Sequence, residues 1–300
     1  MFKKYKFLGI ILSLSIILII LSGCSNKKVN NSSQKIKIVT TTNFYAEAAK
    51  AVVGDKGTVN SIINNPAVDP HDYEPTTKTA KTVSAADITV ANGLGYDTWM
   101  NKLNKQSNSY IKIGEDVMHK KTGNNPHIWY NPETMPRYAK YLADQLGNKY
   151  PKNKAYFEQN AQEYIASLKP IQKELSQLKT LAQKVPNKNV YVSEPVFDYA
   201  IAATGFKVTD KNFEKAIENG TDPTPATIKK MHQAINNKQI AFFVLNTQTN
   251  NKVINNLVSL AEKKNIPILK VTETLPEGKT YKEWMLSQYQ AMNKILKSEE

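Results

Sequence analysis

Two histidines and two glutamates, far apart in the chain, are side chains of the types that bind divalent metal ions. His71 lies in "DPHDYEPT", His127 lies in "NNPHIWYNP", Glu194 ends "NVYVSE" and Glu273 ends "PILKVTE". A neutral imidazole donates a nitrogen lone pair at neutral pH, and two carboxylates offset the charge of a divalent cation. Such a set of two nitrogen and two oxygen donors suits zinc, manganese or iron, because it lacks the soft sulfur that would select copper(I).

Prolines restrict the backbone beside both histidines. Pro70 and Pro75 flank His71, and Pro126 directly precedes His127. A proline fixes its own φ and disfavours the helical conformation in the residue before it. The two loops are therefore predicted to hold their imidazoles in place before any metal binds.

Alternating strand and helix patterns predict how these residues are positioned. The runs "KIKIV", "TVNSII", "DITVANG" and "SYIKIG" are predicted strands, and a second series follows with "NVYVSE", "IAFFVLN" and "PILKVTE". Helical segments separate the strands, which indicates parallel sheets covered on both faces. We predict an α/β fold of two lobes, each a mainly parallel sheet flanked by helices. Ligand sites form beyond the carboxyl ends of such strands, where the candidate ligands lie, two from each lobe.

A long helical segment is predicted to join the two lobes. The boundaries are an N-terminal α/β lobe at 35–151, a linking helix at 152–184 and a C-terminal α/β lobe at 185–300. The link has apolar residues at helical spacing and no glycine, and Pro170 is expected to kink it. A helical link limits the lobes to small relative tilts.

The N-terminus has the pattern of a secreted, lipid-anchored protein. Lysines precede an apolar run from Phe7 to Leu21, which is shorter than the roughly 20 residues that span a bilayer. "LSGC" resembles the lipobox of bacterial lipoproteins. Residues 1–23 are predicted to be a signal peptide, Cys24 the lipid anchor and 24–34 a flexible tether. The expected location is the extracellular face of a Gram-positive-type cell membrane.

The positive charge of the chain does not indicate nucleic-acid binding. The formal net charge is +14, but Arg137 is the only arginine and no cluster of arginines and aromatics occurs. A solvated lysine surface is the expected interpretation, and the chain is expected to act as a monomer.

Five segments together resemble the zinc- and manganese-binding lipoproteins of metal ABC importers, also called the streptococcal adhesin-type family. They are "DPHDYEPT", "ANGLGYDTWM", "NPHIWYNP", "VYVSEPVFDYAIAATGF" and "GKTYKEWMLSQY". The resemblance implies two lobes, a rigid connecting helix and a buried metal site between the lobes that delivers its ion to an ABC permease. The family's ligands fall on His71, His127, Glu194 and Glu273. The last of these is usually aspartate, so Glu273 departs from the pattern by one methylene.

The resemblance also bears on which metal is the cargo. The third ligand is histidine in zinc-type members and glutamate in many manganese-type members, and this chain has Glu194. It also lacks the long histidine-rich loop that zinc-type members often have before His127. We therefore expect one divalent ion, manganese in preference to zinc. The alternatives are a surface adhesin with an incidental metal, and a metallohydrolase. We expect no enzyme activity, because four protein ligands leave little room for a catalytic water.

Overall fold

Two four-stranded sheets organise the chain in the computed structural model, which describes residues 35–104 and 109–298. The predicted signal peptide, the tether and Cys24 lie outside these residues. Residues from Ile36 onward belong to a single structural unit. Every strand pair in both sheets is parallel, so the predicted α/β class with two lobes is confirmed.

The first sheet has the order β2-β1-β3-β4. Its strands are β1 (Ile36–Thr42), β2 (Gly57–Ile63), β3 (Ile88–Ala91) and β4 (Tyr110–Lys112). All residues of β1 except Lys37 are buried, as are all four of β3. This continuous burial is expected of parallel strands that helices cover on both faces.

The second sheet repeats the strand order of the first as β6-β5-β7-β8. Its strands are β5 (Asn189–Val192), β6 (Lys207–Val208), β7 (Phe243–Asn246) and β8 (Ile268–Val271). In each sheet the order reverses beside the first strand of the lobe. A crevice forms at such a switch point, outside the carboxyl ends of the strands.

Helices connect the strands and form the outer layers. Four of them begin after a residue whose side chain accepts a hydrogen bond from an amide of the first turn: Thr76, Thr224, Asn251 and Thr280. Among the residues described, no helix combines the length and the apolar character that crossing a bilayer requires. The helices are α1 (Asn43–Val53), α2 (Thr77–Ser84), α3 (Trp99–Leu103), α4 (Thr134–Lys149), α5 (Lys154–Ser167), α6 (Lys169–Lys184), α7 (Asp198–Thr204), α8 (Lys211–Glu218), α9 (Pro225–Asn236), α10 (Lys252–Lys263) and α11 (Tyr281–Ser298).

The linking segment consists of α5 and α6, which meet at Leu168. Pro170 lies in the first turn of α6, where its missing amide hydrogen costs no intrahelical bond. The break therefore falls where the proline was expected to kink the helix. Helix α5 packs against α1 and α4, whereas α6 packs against α7 and α11. Each half of the link is thus anchored to a different sheet's helices.

One apolar core extends through both lobes. Phe44 of α1 lies 5.0 Å from Trp129 and 5.8 Å from Trp284 of α11, measured between ring centroids. Tyr130 adds a T-shaped contact with Trp284 at 5.5 Å. Aromatic pairs at these separations stabilise the packing beyond the effect of burial alone. The two sheets are consequently joined by side-chain packing as well as by the linking helices.

Candidate metal-binding site

His127 presents a buried ring nitrogen that has no hydrogen-bond partner in the part of the chain that the structure describes. It directly precedes the short 3₁₀ helix Ile128–Tyr130, and its side chain is fully buried. Asn125 Oδ1 accepts a hydrogen bond from the His127 amide at 2.9 Å and lies 2.8 Å from His127 Nδ1. Because an amide oxygen only accepts, Nδ1 carries the proton and Nε2 keeps its lone pair. Among the residues described, Nε2 finds no donor, an arrangement that costs about 1–3 kcal/mol unless a metal ion or another partner binds there.

The second lobe fixes the orientation of this imidazole. Asn125 Nδ2 donates to the carbonyl of Pro195 at 2.6 Å. The Tyr199 hydroxyl donates to the carbonyl of Asn125 at 2.9 Å. Contacts of this kind, one step removed from a ligand, set the tautomer and the angle of a metal-binding histidine.

His71 lies in the loop between β2 and α2, and 32% of its side chain is exposed. Its amide donates to Asp69 Oδ1 at 2.8 Å. Trp99 Nε1 donates to the carbonyl of Pro70 at 3.1 Å, which ties the loop to α3. The edge of the imidazole packs on the ring of Tyr96, with 4.4 Å between centroids. These contacts restrict the loop on both sides of His71.

Glu273 comes from the second sheet, two residues after β8. Its Oε1 atom lies 3.7 Å from His127 Nε2, and its side chain is 15% exposed. The hydroxyl of Tyr96 donates to the same oxygen at 2.9 Å. One donor atom from each of Asp69, His71 and Glu273 also lies within 4.8 Å of the others. The longer glutamate side chain therefore does reach the histidines of the first lobe.

Glu218 is a site residue that the sequence reasoning missed. It is the last residue of α8, and its Oε1 atom lies 3.5 Å from His71 Nε2 and 3.8 Å from His127 Nε2. The helix itself was not predicted, although "NFEKAIENG" contains the signals for one. Phe213 and Ile217 are spaced by one helical turn, and a glycine follows the helix end. Asp69 was also not singled out.

Glu194 lies beside this cluster, two residues after β5. It lines a cavity of about 440 Å³ together with Glu273. Its Oε2 atom accepts hydrogen bonds from Asn246 Nδ2 at 2.8 Å and from the Thr249 hydroxyl. Among the residues described, Glu194 belongs to neither set of mutually close donor atoms. The structure thus brings three of the four predicted ligands together and places the fourth at their side.

Burial and charge in the site shift the pKa values of its groups. Burial lowers the pKa of His127, but the carboxylates of Glu273 and Glu218 outweigh burial and raise this pKa above its usual value. Burial raises the pKa of Glu218 to about 7. Burial also raises the pKa of Glu273, but His127 and His71 reverse the shift and leave this pKa below its usual value. Near neutral pH, protons and a metal ion would therefore compete for His127 and Glu218.

The Gln248 side chain joins the Glu273 segment to the loop that carries His71. Its Oε1 atom accepts from the amides of Glu273 at 2.7 Å and Thr274 at 3.0 Å. Its Nε2 atom donates to the carbonyl of Pro66 at 2.7 Å. The Thr274 hydroxyl donates to the same carbonyl at 2.7 Å. One amide side chain thus sets the spacing between ligand-bearing segments of the two lobes.

Comparison with known proteins identifies the family of the chain. A family model described as "ZnuA: Zinc-uptake complex component A periplasmic" matches residues 38–295. The chain belongs to this family. It is 30% identical to the manganese ABC transporter substrate-binding lipoprotein PsaA of Streptococcus pneumoniae serotype 4, over 92% of this chain and 94% of the relative. It is 33% identical to the iron ABC transporter substrate-binding lipoprotein MtsA of Streptococcus pyogenes serotype M1, over 67% of this chain and 69% of the relative.

Solved structures show the same fold as this ZnuA-family chain. The periplasmic zinc-binding protein TroA from Treponema pallidum superimposes with a TM-score of 0.70 at 18% sequence identity. The match covers 87% of this chain and 99% of TroA. The resemblance inferred from the five sequence segments is therefore confirmed at the level of family and fold.

We expect Gln248→Leu to weaken divalent-metal binding by about 10- to 100-fold, the range found when partners of metal ligands are removed. Leucine has a similar shape but cannot hold the Glu273 amide or the Pro66 carbonyl. The dissociation constant, measured by competition with a chelator, tests this. Gln233→Leu on the exposed side of α9 is the matched control. Unchanged affinity in Gln248→Leu would show that the ligand positions do not depend on these bonds.

Metal affinity is expected to weaken as the pH falls through about 7, the pKa of Glu218. The raised pKa of His127 acts in the same direction, because protons then occupy the nitrogen that would bind the metal. Manganese titrations at about pH 8 and about pH 6 measure the change. Equal affinity at both pH values would contradict the involvement of these groups.

Proposed function

We propose that this chain is the solute-binding protein of a metal ABC importer. It captures one divalent metal ion, manganese in preference to zinc, between its two lobes and delivers the ion to a membrane permease. The observation that carries the proposal is the convergence of imidazoles and carboxylates from separate segments on the buried, unpartnered Nε2 atom of His127. Such an acceptor in an acidic crevice is costly without a cation and well suited to one.

The proposed ligand set draws on both lobes. His71 and His127 of the first lobe supply nitrogen, and Glu273 and Glu194 of the second lobe supply oxygen. For Glu194 to bind, its Oε1 atom is the available oxygen, because Oε2 accepts the hydrogen bonds from Asn246 and Thr249. Those bonds would then orient the carboxylate toward the metal.

The preference for manganese rests on the two carboxylate ligands, the lack of sulfur ligands and the relatives. Carboxylate oxygens suit manganese and iron, and no cysteine is present beyond Cys24. The relatives PsaA and MtsA are described as manganese and iron lipoproteins respectively. Zinc binds most nitrogen and oxygen sites more tightly than manganese does, so supply and geometry together determine the cargo.

The crowding of donors supports binding rather than catalysis. A catalytic zinc site usually has three protein ligands and keeps an open position for water. Here the His127 nitrogen faces two carboxylates at 3.7 Å and 3.8 Å, and a second imidazole lies beside them. We infer that the chain is not an enzyme.

Release is proposed to follow a small relative tilt of the lobes. The shared aromatic core and the linking helices oppose a wide hinge motion. A shift of about 1 Å is enough to separate carboxylates of one lobe from imidazoles of the other, since metal–ligand bonds require distances within about 0.2 Å. Contact with the permease would supply this shift. The protein is proposed to act as a monomer on the extracellular face of the membrane, anchored through Cys24 and the tether at 24–34.

We expect His71→Ala and His127→Ala each to weaken manganese and zinc binding by more than about 100-fold, because each removes a ligand rather than a supporting contact. His232→Ala is the control, because His232 lies on α9 and belongs to neither set of mutually close donors. Metal content of protein purified without added metal and calorimetric titration of chelator-stripped protein provide the measurements.

The proposal fails if the stripped wild-type protein binds neither manganese nor zinc with one-to-one stoichiometry. It also fails if the His71 and His127 variants bind as tightly as the His232 variant, since the site would then lie elsewhere.

A further inference from the structure

We propose that Glu218 is an additional ligand and that it favours manganese over zinc. This inference rests on the proposed function, because it concerns the same metal ion. No other described carboxylate lies within 4.0 Å of both imidazole Nε2 atoms. The Oε1 atom of Glu218 lies 3.5 Å from His71 Nε2 and 3.8 Å from His127 Nε2. A small movement of the three side chains would therefore bring all of them into bonding range of one cation.

The fold holds Glu218 in this position through α8. Phe213 and Ile217 bury one face of the helix against the second lobe. At the other end of the helix, Lys211 forms an ion pair with Asp198 of α7. A helix fixed at its start and along one face delivers its last residue to a defined place.

The location of Glu218 on the helix is unfavourable unless a cation is near. The C-terminal end of a helix carries partial negative charge, so an anionic side chain there is destabilised. The Glu218 side chain is also only 19% exposed, which limits the solvation of its charge. A divalent ion bound between Glu218, His71 and His127 would relieve both costs.

An extra carboxylate changes the coordination that the site offers. With Glu218, the donors number five: His71, His127, Glu194, Glu218 and Glu273. Zinc sites in proteins are usually four-coordinate and tetrahedral. Manganese prefers more oxygen ligands in a near-octahedral arrangement. Glu218 should therefore stabilise bound manganese more than bound zinc. The difference in affinity by which such sites usually favour zinc would then be smaller.

The test is Glu218→Gln, which keeps the side-chain shape and removes the charge. We expect manganese affinity to fall by about tenfold or more and zinc affinity to fall by a smaller factor. In the cobalt-substituted Glu218→Gln protein, visible absorption should strengthen, because cobalt(II) ions with fewer ligands absorb more strongly.

Glu214→Gln is the matched control. Glu214 lies one turn earlier on α8, and it lines a cavity of about 510 Å³ together with Glu218. It pairs with Lys211 at 2.8 Å rather than with an imidazole. Thermal unfolding of both metal-free variants verifies that they are folded.

Three results would overturn the inference. They are equal losses of manganese and zinc affinity in Glu218→Gln, an unchanged cobalt spectrum, and a loss in Glu214→Gln as large as that in Glu218→Gln. In each case the wild-type protein would still bind metal through the histidines, so the proposed function would stand. Absence of metal binding by the wild-type protein would instead refute the proposed function itself.

Discussion

The candidate site depends on the meeting of a buried imidazole nitrogen from one lobe with carboxylates from the other. His127 Nε2 is shielded from water and faces Glu273 at 3.7 Å and Glu218 at 3.8 Å. Neither distance is that of a good hydrogen bond, so the nitrogen has no partner within 35–104 and 109–298. The surrounding contacts nevertheless hold the ring and the carboxylates in place. The fold therefore sustains an arrangement that only a proton or a metal ion satisfies.

The last helix keeps the two lobes in register around this arrangement. The Tyr281 amide donates to Glu47 Oε2 at 2.7 Å, and its hydroxyl donates to the carbonyl of Trp129 at 2.6 Å. The Tyr130 hydroxyl donates a hydrogen bond to Gln288 Oε1 of α11 at 2.9 Å. These bonds connect the segment that follows His127 to a helix of the second lobe. A preformed site costs less ordering entropy on binding, which favours high affinity.

The excess of negative charge in the crevice determines which kind of ligand it favours. Glu194, Glu218 and Glu273 lie close enough to repel one another, and burial adds to the cost of keeping them ionised. The partial positive character of His127 offsets only part of this repulsion. A divalent cation removes both penalties at once, whereas a neutral or anionic solute would increase them. The electrostatics thus select the charge of the ligand, and the number of donor atoms distinguishes one divalent metal from another.

The sequence by itself predicted seven of the eight described strands, their parallel arrangement and three of the converging side chains. Hydrophobic runs mark the strands locally. Glu273 lies two residues after β8 and His71 lies in the loop after β2, so their common location follows from the rule for parallel sheets. His127 instead lies well past β4, beyond the helical turn Ile113–Val117, and the rule alone does not place it. Only the tertiary structure decided where the carboxylates of Glu194 and Glu218 lie relative to the imidazoles. Glu194 is turned by hydrogen bonds from Asn246 and Thr249, which lie more than fifty residues away. Glu218 reaches the imidazoles because α8 packs against the core of the second lobe. The strand before this helix, β6, has two residues and is too short to leave a hydrophobic pattern in the sequence. Local patterns fix secondary structure, but the direction of a helix end is set by packing between segments that are distant in the chain.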